Sequence, residues 1–515
     1  MMPSPRSHAW PDMVLRFLVP VLALILMECA PALAHGADEA RFASKIPGWV
    51  VLAAAAAALV LSFLLLNRFK PGARPDSAPP AAYRSRDVEH IPILAWIVQS
   101  PAVRLSARLI SVGLFLLVLA TGFFGRVHSK YNAAPELVWT LFWFGLSLFS
   151  FLIGNPWNAV NPWRAMFHWA SKAAGRNLSL GLRYPAALGI WPALILYVSF
   201  IWFELGWFQS DEPRSLALLA VLYSTYLWIG MALFGTVWLE RADPFTRYFQ
   251  VLGLFAPLGP GKRGGEGERE GGIELRPYAS ALRGARMTAS LEVAFVIAMM
   301  YSVTYDGFMA TREWVGVTGA LMEQAMRMFP DVPVMEGVQL ISLLIGLLIF
   351  VAAYWGACAW MSALTDGKTA SELARAFGFT LLPIAFGYFL AHFFMVIGPR
   401  FAELALALSD PFGASSPAHP PPAQPPLPKG PTFWTTGVIW VSMMILIVLG
   451  HVLSVITAHH TARNVLAGTR RFVAAQLPML ALMVFYTWVS LWIASRPLLF
   501  KPLAPLFKEL TTNPY

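Results

Sequence analysis

Along most of its 515 residues the chain repeats one pattern, a run of about 20 mainly apolar residues followed by a short polar stretch. At 1.5 Å rise per residue, a helix of that length matches the roughly 30 Å hydrocarbon layer of a bilayer. The runs are continuous rather than alternating, so they predict helices and not barrel strands. Ten are read, near 49–67, 107–125, 136–153, 186–208, 215–239, 288–305, 338–363, 374–397, 433–457 and 472–495. The expected fold class is all-α: a polytopic transmembrane helical bundle of about ten spans, forming one domain over 35–515.

The first apolar run is of another kind. Arg6 and Arg16 give a basic end, Val14 to Met27 an apolar core, and Ala32-Leu33-Ala34 a small-residue cleavage site, so 1–34 reads as a secretory signal peptide. Cleavage there leaves His35 as the mature N-terminus. With His35 outside, the inner loops are 68–106, 154–185, 240–287, 364–373 and 458–471, and these hold most of the Lys and Arg. That bias follows the positive-inside rule and expects a multi-pass protein of a bacterial inner membrane with a periplasmic N-terminus. The inner Gly-rich loop 261–272 and the outer Pro-rich linker 415–431 read as disordered.

Composition supports the membrane reading. The chain is 57% apolar and 13% charged, against about 25% charged in ordinary soluble domains. Its net charge of +10 sits in the loops that topology requires to be basic, so it signals no nucleic-acid partner. Two cysteines, Cys29 in the leader and Cys358 in a span, exclude a disulfide framework. Phosphate-cradling Gly loops and the common hydrolase and kinase motifs are absent from the sequence.

An ionisable side chain inside a span is costly and points to function. His392 lies near the outer end of the eighth span, Asp306 ends the sixth, and Asp410 follows in the next outer segment. His35 shares that side. Two histidines with carboxylates and an open position suit a hydrolytic metal site, with His35, Asp306, His392 and Asp410 as ligands and His392, Asp306 and Asp410 as the catalytic groups. A terminal histidine offers two nitrogens and suits a divalent transition metal, copper or zinc. Deeper inside, His451 and His459 lie two helical turns apart on one face, and Asn161 and Arg164 have similar depth; together they read as an inner polar cluster. Asn-Pro-Trp occurs twice in 154–165, read either as a turn with interfacial Trp anchors or as a re-entrant segment lining a cavity.

Several motifs in order resemble one bacterial membrane-protein family. They are Ala34-His35-Gly36 after the leader, Asn161-Pro162-Trp163-Arg164-Ala165, Tyr305-Asp306-Gly307-Phe308, Leu382-Pro383-Ile384-Ala385 with Ala391-His392-Phe393-Phe394, Ser409-Asp410-Pro411-Phe412-Gly413, the run Gly450 to His459, and Tyr486-Thr487-Trp488. The family is named for fenitrothion hydrolysis. The resemblance implies a membrane-bound hydrolase of organophosphate triesters, with a small apolar organophosphate as substrate. The chain departs from the family pattern at Tyr305, at His460 and in its Pro-rich link. The alternative reading is a copper or other transition-metal handling protein, for transport or assembly, using the same outer residues.

Overall fold

The computed structural model describes residues 48–68, 86–88, 91–260, 272–329, 334–414 and 436–496, apart from 284, 286, 395, 396, 468 and 470. The leader, His35, residues 261–271 of the inner Gly-rich loop and the Pro-rich linker 415–431 lie outside the described residues. The described chain is an all-α bundle. Its helices are α1 (Gly48–Arg68), α2 (Pro92–Gln99), α3 (Pro101–Phe124), α4 (Ala133–Leu152), α5 (Pro162–Ala173), α6 (Trp191–Gly206), α7 (Pro213–Phe234) and α8 (Pro244–Gly253). Then come α9 (Ser290–Met309), α10 (Arg312–Met328), α11 (Val334–Ala363), α12 (Ala370–Phe393), α13 (Ile397–Ser409), α14 (Thr436–Val465) and α15 (Phe472–Ala494). Among the described residues nine segments are long and apolar enough to cross a membrane: α3, α4, α6 together with the turn before it (Ala186–Gly206), α7, α9, α11, α12, α14 and α15. A further helix, α1, is 21 residues long.

Local chemistry sets the helix ends. Ser100 caps α3, accepting from Val103 N, with Pro101 at the first helical position, where a missing N–H costs nothing. Thr369 and Glu372 form a reciprocal capping box at the start of α12. Pro383 cannot donate to the carbonyl of Phe379, and the turn before it, Gly378–Leu381, tightens to a 3₁₀ helix. In α4 the segment Glu136–Gly145 winds wider, as a π-helix.

α12 is the most enclosed of the nine and α11 the least. α12 meets α14 where Gly387 faces Gly450. A Cβ on Gly387 would stand 2.7 Å from the Leu446 carbonyl oxygen, and one on Gly450 would stand 2.5 Å from that of Pro383. Apolar side chains gain little by packing against each other in lipid, so such close backbone approach is a principal source of helix association there.

The bundle has two distinguishable ends. At one, three short antiparallel strands, β1 (Arg86–Asp87), β2 (Leu258–Pro260) and β3 (Ile273–Leu275), pair in the order β1-β3-β2. Arg276 is buried beneath them and donates to the carbonyls of Gly253 and Ala256. The other end carries the C-termini of α9 and α12, and with them the candidate site.

Candidate functional site

At that second end Asp306 and His392 meet: His392 Nε2 stands 2.9 Å from Asp306 Oδ2. The two side chains are 21% and 32% exposed, so the pair is open at this end of the bundle. The neighbouring residue fixes the aim of Asp306. Tyr305 turns to α11, its hydroxyl 2.6 Å from Ser342 Oγ and hydrogen-bonded to Gln339. Successive residues of a helix point about 100° apart, so Asp306 faces away from α11 toward α12.

Tyr388, one turn before His392, lies against the backbone of Gly307. A Cβ at 307 would fall 2.1 Å from the Tyr388 hydroxyl oxygen, so only glycine allows this approach. The rings of Tyr388 and His392 lie 6.3 Å apart at 19°, and Phe393 sets its edge against the imidazole. Glu204, near the end of α6, is within electrostatic range of Asp306. The result is a half-buried acid–imidazole pair with a phenol beside it.

In this pair Asp306 orients as well as charges. With Nε2–H donated to the carboxylate, the Nδ1 lone pair of the neutral imidazole is free to take a proton or bind an ion. A carboxylate behind a histidine is also a recurrent support for a metal ligand.

The other residues singled out from sequence are placed elsewhere or together as follows. Asp410 lies in a loop docked on the α3–α4 connection, where Arg126 N donates to Phe412 O and Ala133 N to Pro411 O. Its carboxylate accepts from Ala414 N, and Gly413 adopts φ +67° against the Tyr131 carbonyl. The Ser-Asp-Pro-Phe-Gly motif therefore holds a loop in place. Among the described residues no group of three or more His, Cys, Asp or Glu is placed to share an ion.

The expected inner polar cluster divides into two sites. His451 is fully buried; its Nδ1 lies 2.8 Å from Ile447 O, and its Nε2 has no partner among the described residues. His459 pairs through Nδ1 with Gln476 of α15 at 3.1 Å. Asn161 caps α5 by accepting from Arg164 N, and α5 packs on α3 and α7 rather than with the histidines. Neither histidine is hydrogen-bonded to Asn161 or Arg164. Glu292 accepts from Thr288 N and closes the start of α9.

The repeated Asn-Pro-Trp segment is more enclosed than a headgroup anchor. Trp157 and Trp163 are 3% and 6% exposed, and their indole N–H groups donate to Thr246 and Ser224. Nearby, fully buried Asp243 accepts from Tyr223 at 2.5 Å, Thr246 at 2.6 Å and the Phe245 N–H at 2.8 Å. Burial pushes its carboxyl above the ordinary range against the opposite pull of those three donors. Asp243 also caps α8, with Pro244 next.

Beside this network α3, α4, α6 and α7 border a half-open apolar groove of about 1140 Å³, walled by Phe115, Leu141, Phe142, Trp163, Phe200 and Tyr223 among others. Comparison with family models, with curated proteins and with solved structures gives no match for this chain.

Sequence reading missed Tyr388, although it stands four residues before His392 and so on the same helical face. It also missed the groove, which is made by spacing between helices and leaves no mark in any single run.

Proposed function

We propose that the protein is a membrane-bound hydrolase of apolar phosphotriesters, acting at the end of the bundle that carries His392. The observation that carries this reading is the 2.9 Å contact between His392 and Asp306 at an open rim. In this proposal the chain crosses a bacterial inner membrane ten times after losing its leader, and the site faces the periplasm.

Asp306 accepts the Nε2–H of His392 and holds the imidazole in one tautomer. His392 Nδ1 takes a proton from water as the water oxygen attacks phosphorus. The bond from phosphorus to the aryl oxygen breaks, and the nitrophenolate leaves with the electron pair. The Tyr388 hydroxyl, against Gly307, would donate to the phosphoryl oxygen where charge develops.

The donor set fits a divalent transition metal in part: His392 would supply Nδ1, the ring nitrogen turned away from Asp306, and the proposed terminal His35 would supply the next donors. A bound ion would acidify the attacking water. Asp306 would then stand behind His392 and keep its ring turned to the ion. Asp410 keeps its place in the docked loop.

The test is release of nitrophenol from a phosphotriester by the purified protein, before and after chelation. Turnover is expected to fall about 100-fold or more in His392→Gln and Asp306→Asn, the range general base catalysis commonly supplies. Wild-type rates in both variants would overturn the proposal. Metal uptake without ester turnover would favour the metal-handling reading instead.

A further inference from the structure

α11 is the least enclosed of the nine spans, yet its first turns hold the helix that carries Asp306. From Val334 to Leu348 its only polar side chains are Glu336, Gln339 and Ser342. They are three residues apart, so they follow one another along one side of the helix. That side meets two helices. On α9, the Tyr305 hydroxyl lies 2.6 Å from Ser342 Oγ, 3.0 Å from Gln339 Oε1 and 3.1 Å from the Gln339 carbonyl oxygen. Ser342 Oγ donates to that same carbonyl at 2.8 Å. On α6, Trp202 Nε1 donates to the Glu336 carbonyl at 3.0 Å. Gly206 closes on Gln339, since a Cβ at 206 would stand 3.0 Å from the Gln339 Cβ.

Gln339 is 3% exposed. Polar side chains within a span are costly and are kept where protein groups pair with them. An apolar side chain would pack this joint as well, so the amide and the hydroxyl point to what they bind. Their shared partner is the residue next to Asp306. Among the described residues the Asp306 carboxylate is bonded to His392 alone, so its aim depends on how α9 is turned. Tyr305 and Asp306 stand about 100° apart around that helix. A roll of α9 that breaks the Tyr305 bonds also carries the carboxylate away from His392 Nε2. Misplacing a reacting group by about 1 Å can cost about a hundredfold in rate.

From this joint we propose that Gln339 and Ser342 of α11 are positioning residues for the Asp306–His392 pair. Acting through the Tyr305 hydroxyl, they hold α9 at the rotation where the carboxylate meets Nε2. The effect on turnover rests on the hydrolase reading; the effect on the imidazole does not.

Nitrogen NMR of the full chain, labelled at histidine and held in nanodiscs, reads the imidazole directly, with the His392 signals assigned by their loss in His392→Gln. Under alkaline conditions the wild type should show one tautomer, with Nε2–H hydrogen-bonded. Gln339→Met with Ser342→Ala removes both side-chain partners and should give a mixture of tautomers, as should Tyr305→Phe. All three changes together should do no more than Tyr305→Phe alone. Ser342→Thr keeps the hydroxyl and should match the wild type. So should Ser224→Ala, which strands the Trp163 N–H away from this joint. With a nitrophenyl phosphotriester, the α11 double variant should lose roughly tenfold in kcat with KM unchanged. A single wild-type tautomer in the double variant, whatever its melting temperature, would overturn the proposal, as would a loss confined to KM. A wild type without the Nε2–H bond would overturn it together with the pair itself. Absence of ester turnover from the wild type, with His392 responding as stated, would sink the hydrolase reading and leave the positioning standing.

Discussion

Replacing Gly307 by alanine adds one methyl group at the tightest point of the site. The new Cβ would lie 2.1 Å from the Tyr388 hydroxyl oxygen, 3.0 Å from Ile493 Cγ2 and 3.2 Å from Tyr388 Cζ. Carbon contacts relax only near 3.5–4 Å, so the hydroxyl must move by more than an ångström. Tyr388 is 5% exposed and has little room to do so. Overpacking of this kind costs about 1–3 kcal/mol. Tyr388→Phe removes the oxygen, and the nearest atoms then stand at 3.0 and 3.2 Å, a strain that small shifts relieve. Gly307→Ala should therefore be destabilising alone and nearly harmless with Tyr388→Phe, giving a coupling of about 1–2 kcal/mol between the two. Unfolding of the four proteins in one detergent measures it. Wild-type stability in Gly307→Ala, or strictly additive effects, would refute this packing of α9 on α12. If the hydroxyl also serves the proposed chemistry, the double variant should recover stability without recovering turnover.

Further expectations concern the frame around the site. Gly387→Ala and Gly450→Ala should each destabilise more than Gly307→Ala, since the new methyl would meet backbone oxygen at 2.7 and 2.5 Å and backbone cannot step aside; denaturant midpoints rank the three. His451→Leu should change stability by less than about 1 kcal/mol, because it removes one buried nitrogen that has no partner among the described residues and one bonded only to the helix carbonyl of Ile447; a loss above about 3 kcal/mol would mean that Nε2 holds something. Asp243→Ala should cost about 3–5 kcal/mol, since it strands two hydroxyls and a helix-capping N–H. The raised pKa of Asp243 means the folded protein binds its proton more tightly than the unfolded chain does. Stability from that proton is full below the ordinary carboxyl pKa and lost as pH rises through the folded value. The melting-temperature advantage of wild type over Asp243→Asn should accordingly shrink from low to high pH.

Much of the bundle was legible because one physical demand, enough apolar length to cross a bilayer, writes itself into every run. The boundaries read at 186–208, 338–363 and 472–495 fall within a few residues of α6, α11 and α15. Depth was legible too. Asp306 and His392 were placed at one level by counting residues from the span ends, and they touch. Lateral position was not, and Asp410 shows why. It shares that level, yet Pro411 and Phe412 tie its loop to Arg126 and Ala133, on the side where α3 meets α4. The strands escaped notice because segments of two or three residues are too short to show alternation. Trp157 and Trp163 looked like headgroup anchors because composition alone cannot reveal that Thr246 and Ser224 wait for their N–H groups inside the protein.

The small sheet has a bearing on how the chain is threaded. β1 precedes α3, whereas β2 and β3 follow α7, so four membrane-length helices lie between partners that hydrogen-bond directly. Strands can pair only if they emerge in the same compartment, which requires an even number of crossings between residues 87 and 258. Losing or gaining one crossing in that stretch would put Arg86 and Leu275 on opposite sides of the bilayer. Three strands with eight residues among them thus act as a parity check on the insertion of the first half of the protein.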